Sequence, residues 1–218
     1  MSTVGKLCVA MALGWFSMAG APPAAAESWQ VPSGYMFEPL PGCVNGRVST
    51  PLYNACADQM TTFTAAVTRA KFADKSLLIV FGATWCPSCK SLKTVLPSPE
   101  WFAMQDLANR IEVTEIAIST LQAGRVTAVP SGVAVLDAVL ASRTDVKQRA
   151  VPFLVVVHPV SGRVSARNLD DLEPRNGSGW DVAELARIAA VADTAVRGGA
   201  KATAEPGWLM RKWLRLVR

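Results

Sequence analysis

Histidine is almost missing from this sequence: His158 is the single one in 218 residues. Structural zinc takes four Cys, His or carboxylate ligands. Cys43, Cys56 and His158 form no second spaced pair to complete a site with Cys86 and Cys89. A metal centre is therefore not expected, and no motif calls for another cofactor. Also lacking, past the first 26 residues, is any apolar run near the ~20 residues needed to cross a bilayer. Internal repeats are absent. The net charge of +5 does not describe the body of the chain. From 197 to 218 there are six Lys or Arg and one Glu, a local +5, while 27–196 hold 15 basic and 16 acidic residues, or −1. The basicity belongs to the tail, so nothing points to a nucleic-acid surface.

What is present begins with a processing signal. Lys6 supplies a positive start, Leu7 to Ala19 is an uncharged and mostly apolar stretch of 13 residues, and Ala24-Ala25-Ala26 offers a small-residue cleavage pattern. The expected cut follows Ala26 and sends the mature chain to the periplasm; an uncleaved anchor is the alternative, disfavoured by the short apolar run. Cys8 lacks the small residues that precede a lipid-modified cysteine. The mature chain keeps Cys43, Cys56, Cys86 and Cys89, and an even count in an oxidising compartment favours disulfides over metal.

Residues 27–56 are rich in Pro, Gly and polar residues and read as an irregular N-terminal extension. Met60, Phe63, Ala66, Val67 and Ala70 recur at helical spacing between Ala57 and Phe72. Leu77 to Phe81 is a continuous apolar run that fits a strand buried on both faces. The cysteine motif follows and opens a helix that reaches about Leu96. Trp101 to Asn109 reads as helix, Ile111 to Ile118 as strand, and Ser131 to Gln148 as helix. Val151 to Val157 is a second buried strand, opened by Pro152. Pro159-Val160-Ser161-Gly162 marks a hairpin turn, and Arg163 to Arg167 pairs back. Trp180 to Val196 is a long helix. Strands alternating with helices and ending in a hairpin imply an α/β layer fold with a mixed sheet. The domain spans 57–199, followed by a linker and tail over 200–218.

Disulfide exchange needs a nucleophilic thiolate and a second thiol near enough to resolve the mixed disulfide. Cys86 and Cys89, two residues apart at the start of a helix, meet both needs. The helix N-terminus sets partial positive charge and free N–H groups beside the first sulfur, which lowers its pKa below the free value of ~8.5. Pro87 suits the first turn, where its missing N–H has no partner to lose. The expectation is an exposed, reactive Cys86 and a more buried, resolving Cys89. Half a zinc site and an inert structural disulfide are the competing readings of the same spacing.

The run Val80-Phe81-Gly82-Ala83-Thr84-Trp85-Cys86-Pro87-Ser88-Cys89-Lys90 resembles the active-site segment of the thioredoxin superfamily, and Ala150-Val151-Pro152-Phe153-Leu154 resembles its cis-proline segment. The similarity covers about residues 57–196. It implies a thioredoxin fold, a mixed central sheet flanked by helices, and a cis Val151–Pro152 bond facing Cys86. It further implies that the Val151 backbone pairs with an extended substrate, with Trp85 packed beside the site. Three features depart from the family pattern. Val80 stands where cytosolic thioredoxins carry a buried Asp. The 66 residues from Cys86 to Pro152 exceed a minimal thioredoxin, which places an insertion in 119–145, before the cis-proline strand. The dipeptide Pro87-Ser88 lacks the His of strongly oxidising periplasmic oxidases.

Cys43 and Cys56 read as a structural disulfide, since closing a loop of this length stabilises by roughly 3 kcal/mol; a role in passing electrons to or from Cys86 is the alternative. His158, just past a buried strand, reads as a hydrogen-bonded structural residue. In the tail, Leu209, Met210, Trp213, Leu214, Leu216 and Val217 share one helical arc, opposite Arg211, Lys212, Arg215 and Arg218. Trp208 to Arg218 is thus a candidate contact with a membrane surface or a partner protein, or a helix packed on its own domain. The expected function is an exported thiol–disulfide oxidoreductase. Its partners would be protein thiols or disulfides of the envelope and an unidentified redox partner. The missing acid at Val80 tilts the direction towards reductase or isomerase. The rival is a non-enzymatic binding module or scaffold in an envelope assembly.

Overall fold

The computed structural model of the chain describes residues 29, 35–43, 53–96, 98, 101, 103, 106–141, 143, 150–169 and 180–198. The expected signal segment at 1–26 and the basic tail at 200–218 lie outside them.

Helix α1 (Gln59–Phe72) opens on an Asp58 N-cap whose side chain accepts from the Met60 N–H. Strand β1 (Ser76–Ala83) is buried along its whole length and is followed by α2 (Pro87–Val95). A one-turn α3 (Leu107–Arg110) leads into β2 (Ile111–Gln122), β3 (Arg125–Ala128) and α4 (Pro130–Leu140). Strands β4 (Phe153–Val157) and β5 (Val164–Asn168) form the terminal hairpin, and α5 (Val182–Gly198) closes the order. The five strands form one sheet in the order β3-β2-β1-β4-β5. Strand β1 runs parallel to β2 and antiparallel to β4; the outer pairs β2–β3 and β4–β5 are antiparallel.

Alternation along β1 distributes its side chains between two cores. Leu78 and Val80 join Leu92 of α2, Leu107 of α3, and Leu185 and Ala189 of α5 on one face. Leu77, Ile79 and Phe81 join Met60 and Phe63 of α1 and Val135 and Val139 of α4 on the other. Helices therefore cover both faces of the central strand, which explains why Leu77 to Phe81 reads as an unbroken apolar run. The arrangement is a mixed α/β sheet consistent with the thioredoxin fold.

Two glycines allow close approach. A Cβ on Gly132 of α4 would run into the Ala117 carbonyl of β2, and one on Gly82 would run into the Tyr53 ring. Tyr53, Ala55 and Cys56 are core residues, so the end of the N-terminal extension is built into the domain.

The structure differs from the sequence reading between 119 and 140. Strand β2 does not stop near Ile118; it continues to Gln122 and turns back as β3. Ala123 and Gly124, at φ 47° and 75°, make the two-residue turn. Two positive φ values are the signature of a type I′ hairpin, usually announced by Asn-Gly; an Ala in the first position hides it. Helix α4 begins at Pro130 and ends at Leu140; most of the expected continuation to Gln148 lies outside the described residues, and of the expected helix Trp101–Asn109 residues 102, 104 and 105 do, while its end is helical as α3. No described helix is long and apolar enough to cross a membrane.

Candidate functional site

At the end of β1 the chain turns, with the Thr84 N–H donating to the Ser119 carbonyl at 3.4 Å and the Cys86 N–H to the Ala83 carbonyl at 3.3 Å. Cys86 is the N-cap of α2, in extended backbone conformation, with Pro87 in the first helical turn. Its sulfur accepts a hydrogen bond from the Cys89 N–H at 3.1 Å. That N–H is one of the donors a helix start leaves unpaired inside the helix. The structure joins Cys86 to Cys89 by a disulfide. When the pair is reduced, the same donor and the helix dipole are placed to stabilise a thiolate on Cys86.

The second segment meets the first. The Val151–Pro152 peptide is cis, and the Val151 carbonyl oxygen lies 3.5 Å from Cys86 Sγ, where a reduced thiol would donate to it. Trp85 is 39% exposed, and its Nε1–H donates to Ser119 Oγ at 3.1 Å. Cys86, Cys89, Trp85, Val151 and Pro152 are thus brought to the C-terminal end of β1, with Ser119 of β2 beside them.

One expectation is corrected. Cys86 is not exposed: it is 3% accessible and Cys89 is 0%. Both sulfurs belong to the apolar cluster with Leu92 and Trp180, and Val151 packs against that cluster. The helix start itself lies at the rim, with Trp85, Pro87 and Lys90 exposed, but both cysteines turn inward from it. Val80 lies in the same cluster and is 2% exposed, so it offers no proton acceptor beneath the cysteines. One turn beyond Cys89 on α2, Lys93 Nζ lies 2.8 Å from Glu115 Oε2 of β2, a half-buried ion pair. Burial, then the charge of Glu115, push the Tyr53 phenol up.

Trp180 was not singled out as a site residue by the sequence. Its Nε1–H donates to the Ser88 carbonyl at 3.1 Å, which ties the dipeptide between the cysteines to the entry of α5. No local signal marks a contact between residues 92 positions apart.

Away from this site, Cys43 and Cys56 are joined by a disulfide, which ties the extension to the approach to α1. The Tyr35 hydroxyl donates to Asp58 Oδ1 at 2.7 Å, and the Gln122 side-chain amide donates to the Pro41 carbonyl at 3.0 Å. These bonds hold the extension against both α1 and β2. His158 Nδ1 accepts the Ser161 N–H at 3.2 Å and lies 2.9 Å from Ser161 Oγ. The residue closes the β4–β5 turn, where it also pairs through its backbone with Gly162 and Arg163.

No protein-family model and no curated protein matches the chain. Among solved structures it is similar to a disulphide isomerase from Xylella fastidiosa Temecula1, with 26% identity, 54% of this chain and 79% of that one covered, and a TM-score of 0.39. A second is Trxlp from Edwardsiella tarda EIB202, at 18% identity over 57% and 90% of the two chains, with a TM-score of 0.33. A third is the oxidised C-terminal domain of DsbD from Neisseria meningitidis, at 25% identity over 50% and 80%, with a TM-score of 0.33. With TM-scores this low, the weight falls on strand order, register and the geometry around Cys86.

Proposed function

We propose, from the premise of a thioredoxin fold, that the protein is an exported thiol–disulfide oxidoreductase working through Cys86 and Cys89 on protein thiols or disulfides of the envelope. The single observation that carries this reading is the placement of Cys86. Its sulfur caps α2, takes the Cys89 N–H at 3.1 Å and lies 3.5 Å from the Val151 carbonyl. In the reducing direction the Cys86 thiolate attacks one sulfur of a substrate disulfide, forms a mixed disulfide, and releases the other substrate sulfur as a thiolate. Cys89, as a thiolate, then attacks Cys86 Sγ, closes the Cys86–Cys89 disulfide and expels the second substrate thiolate. Two electrons pass to the substrate, and a separate dithiol partner must restore the pair. Oxidation of a substrate is the reverse sequence. Val80 offers no buried acid for resolution, which favours a dedicated reductase or isomerase.

In this reading Val151 and Pro152 border the substrate chain, and Trp85 packs beside the reacting sulfur. Cys43–Cys56 is a structural staple, and the tail at Trp208–Arg218 is an attachment to a membrane surface or a partner.

The near-complete burial of Cys86 favours a second reading, a non-enzymatic scaffold on the same fold. Replacing the resolving thiol separates them. A Cys89→Ser protein, expressed with its signal segment, should accumulate mixed disulfides through Cys86 that vanish on reduction and in the Cys86→Ser control. A scaffold accumulates none.

A further inference from the structure

The β2–β3 hairpin carries its polarity inside out. Register pairs Ser119 with Ala128 and Leu121 with Val126 on one face, and Thr120 with Thr127 and Gln122 with Arg125 on the other. The polar face is covered along β2, although Arg125 of β3 is exposed. Thr120 is 5% exposed and its hydroxyl lies 2.9 Å from that of Thr84, while Gln122 reaches the Pro41 carbonyl. The apolar face is turned to solvent: Leu121 is 53% exposed and Val126 60%. A strand pair usually buries its apolar face, because one alternate set of side chains meets the core.

This face continues the candidate redox site. Ser119, on the same side as Leu121, holds the indole of Trp85 through a 3.1 Å hydrogen bond, and Trp85 is the residue before Cys86. Leu121 stands ~7 Å further along β2 at the usual strand rise. Trp85, Leu121, Val126 and Ala128 therefore form an uncharged strip that leads away from the reacting sulfur.

We propose that this strip is the substrate-docking surface of the redox site and selects extended polypeptides with aliphatic side chains a few residues from the reacting cysteine. The inference rests on the thiol–disulfide reading and deepens it by naming the substrate class. An extended chain whose cysteine lies against Cys86 would lay its neighbouring side chains along the hairpin, where aliphatic groups displace water from Leu121 and Val126.

The probes are two Gly/Ser-rich peptides, each with one cysteine as a mixed disulfide with thionitrobenzoate. One carries Leu and Val two and four residues from the cysteine, on the same face of an extended chain; the other carries Ser at both places. Reduced Cys86 attacks the peptide cysteine sulfur and releases thionitrobenzoate, whose colour reports the rate. Cys89 then attacks Cys86 Sγ and frees the peptide thiolate.

The wild-type protein should react with the aliphatic peptide about tenfold faster than with the Ser peptide, the size expected for a few buried methyl and methylene groups. Replacing both strip residues (Leu121→Thr and Val126→Thr, which place a β-branched residue suited to a strand at each position) should bring that ratio close to one. Leu121→Thr alone should leave about threefold, and it covers the case in which the double variant fails to fold. Equal rates for the two peptides in the wild type, or an undiminished ratio in the variants, overturn the docking surface while the redox reading stands. Release of no thionitrobenzoate from either peptide overturns the redox reading and this inference together.

Discussion

Asp58 shows how one side chain joins local structure to the wider fold. It caps α1 through the Met60 N–H at 3.0 Å and also accepts from Thr61 and from Tyr35 of the extension. Burial pulls its carboxyl up, but the hydrogen bonds from Thr61, Tyr35 and the Met60 backbone outweigh it and hold the group below its ordinary value. A depressed acid contributes stability that is full above the unfolded pKa of ~3.9 and is lost as pH falls through the folded value. Urea midpoints should therefore fall below about pH 4, and fall less steeply in Asp58→Asn. Asp58→Ala should cost ~1 kcal/mol at neutral pH, the usual loss for an N-cap. Trp180 makes a second test at this scale. Trp180→Phe keeps an aromatic in the core cluster and removes the N–H to the Ser88 carbonyl. It should cost ~1 kcal/mol or more, read as a lower urea midpoint in the oxidised protein. Cys86, Cys89, Pro87 and Pro152 were legible because each has a local signature. Trp180 and the burial of Cys86 were not, since both follow from tertiary packing that no spacing encodes.

Among the elements, those built on strong patterns were easiest to read. Strand β1 is a buried apolar run because helices cover both its faces, and α1 shows its period because one side of it meets the sheet. The β2–β3 hairpin escaped notice for a physical reason. Its turn uses Ala123-Gly124 rather than Asn-Gly, and its alternation buries Thr120 and exposes Leu121 and Val126, so neither the turn nor the pattern announces a strand. Helix α4 was legible as a helix but not in its depth of packing. Gly132 sits where a Cβ would collide with the Ala117 carbonyl, and backbone cannot swing aside as a flexible side chain can. Gly132→Ala should therefore push α4 off β2 and destabilise by about 1–3 kcal/mol, the range for an overpacked core, despite Ala's better helix propensity. Chemical denaturation gives that comparison directly.

For the whole molecule, the two ends of the sheet do different things. The C-terminal end of β1 holds the cysteines. At its start, buried Asp193 of α5 accepts from Ser76 at 2.6 Å, from Arg110 at 2.9 Å and from Arg197 at 2.8 Å. The carboxylate is fully enclosed, and it locks α5 to β1 and to α3 through four residues spread from 76 to 197. Asp193→Ala should destabilise by about 3 kcal/mol, because it takes the acceptor from the buried Ser76 hydroxyl and the carboxylate from two part-buried guanidinium groups. The rate at which reduced Cys86 is alkylated should not change, as the network lies at the opposite end of β1.

In the proposed oxidoreductase, α2 activates Cys86 as a nucleophile even though the residue is buried. The most direct test of this is the pH dependence of Cys86 alkylation in the reduced protein, with Cys89→Ser as a second sample so that the modified sulfur is unambiguous. A titration midpoint clearly below the free-thiol value of ~8.5 is expected, because the helix start outweighs burial. A midpoint at or above that value, or a Cys86 that resists the reagent until the protein unfolds, would contradict it and leave an inert structural disulfide in its place.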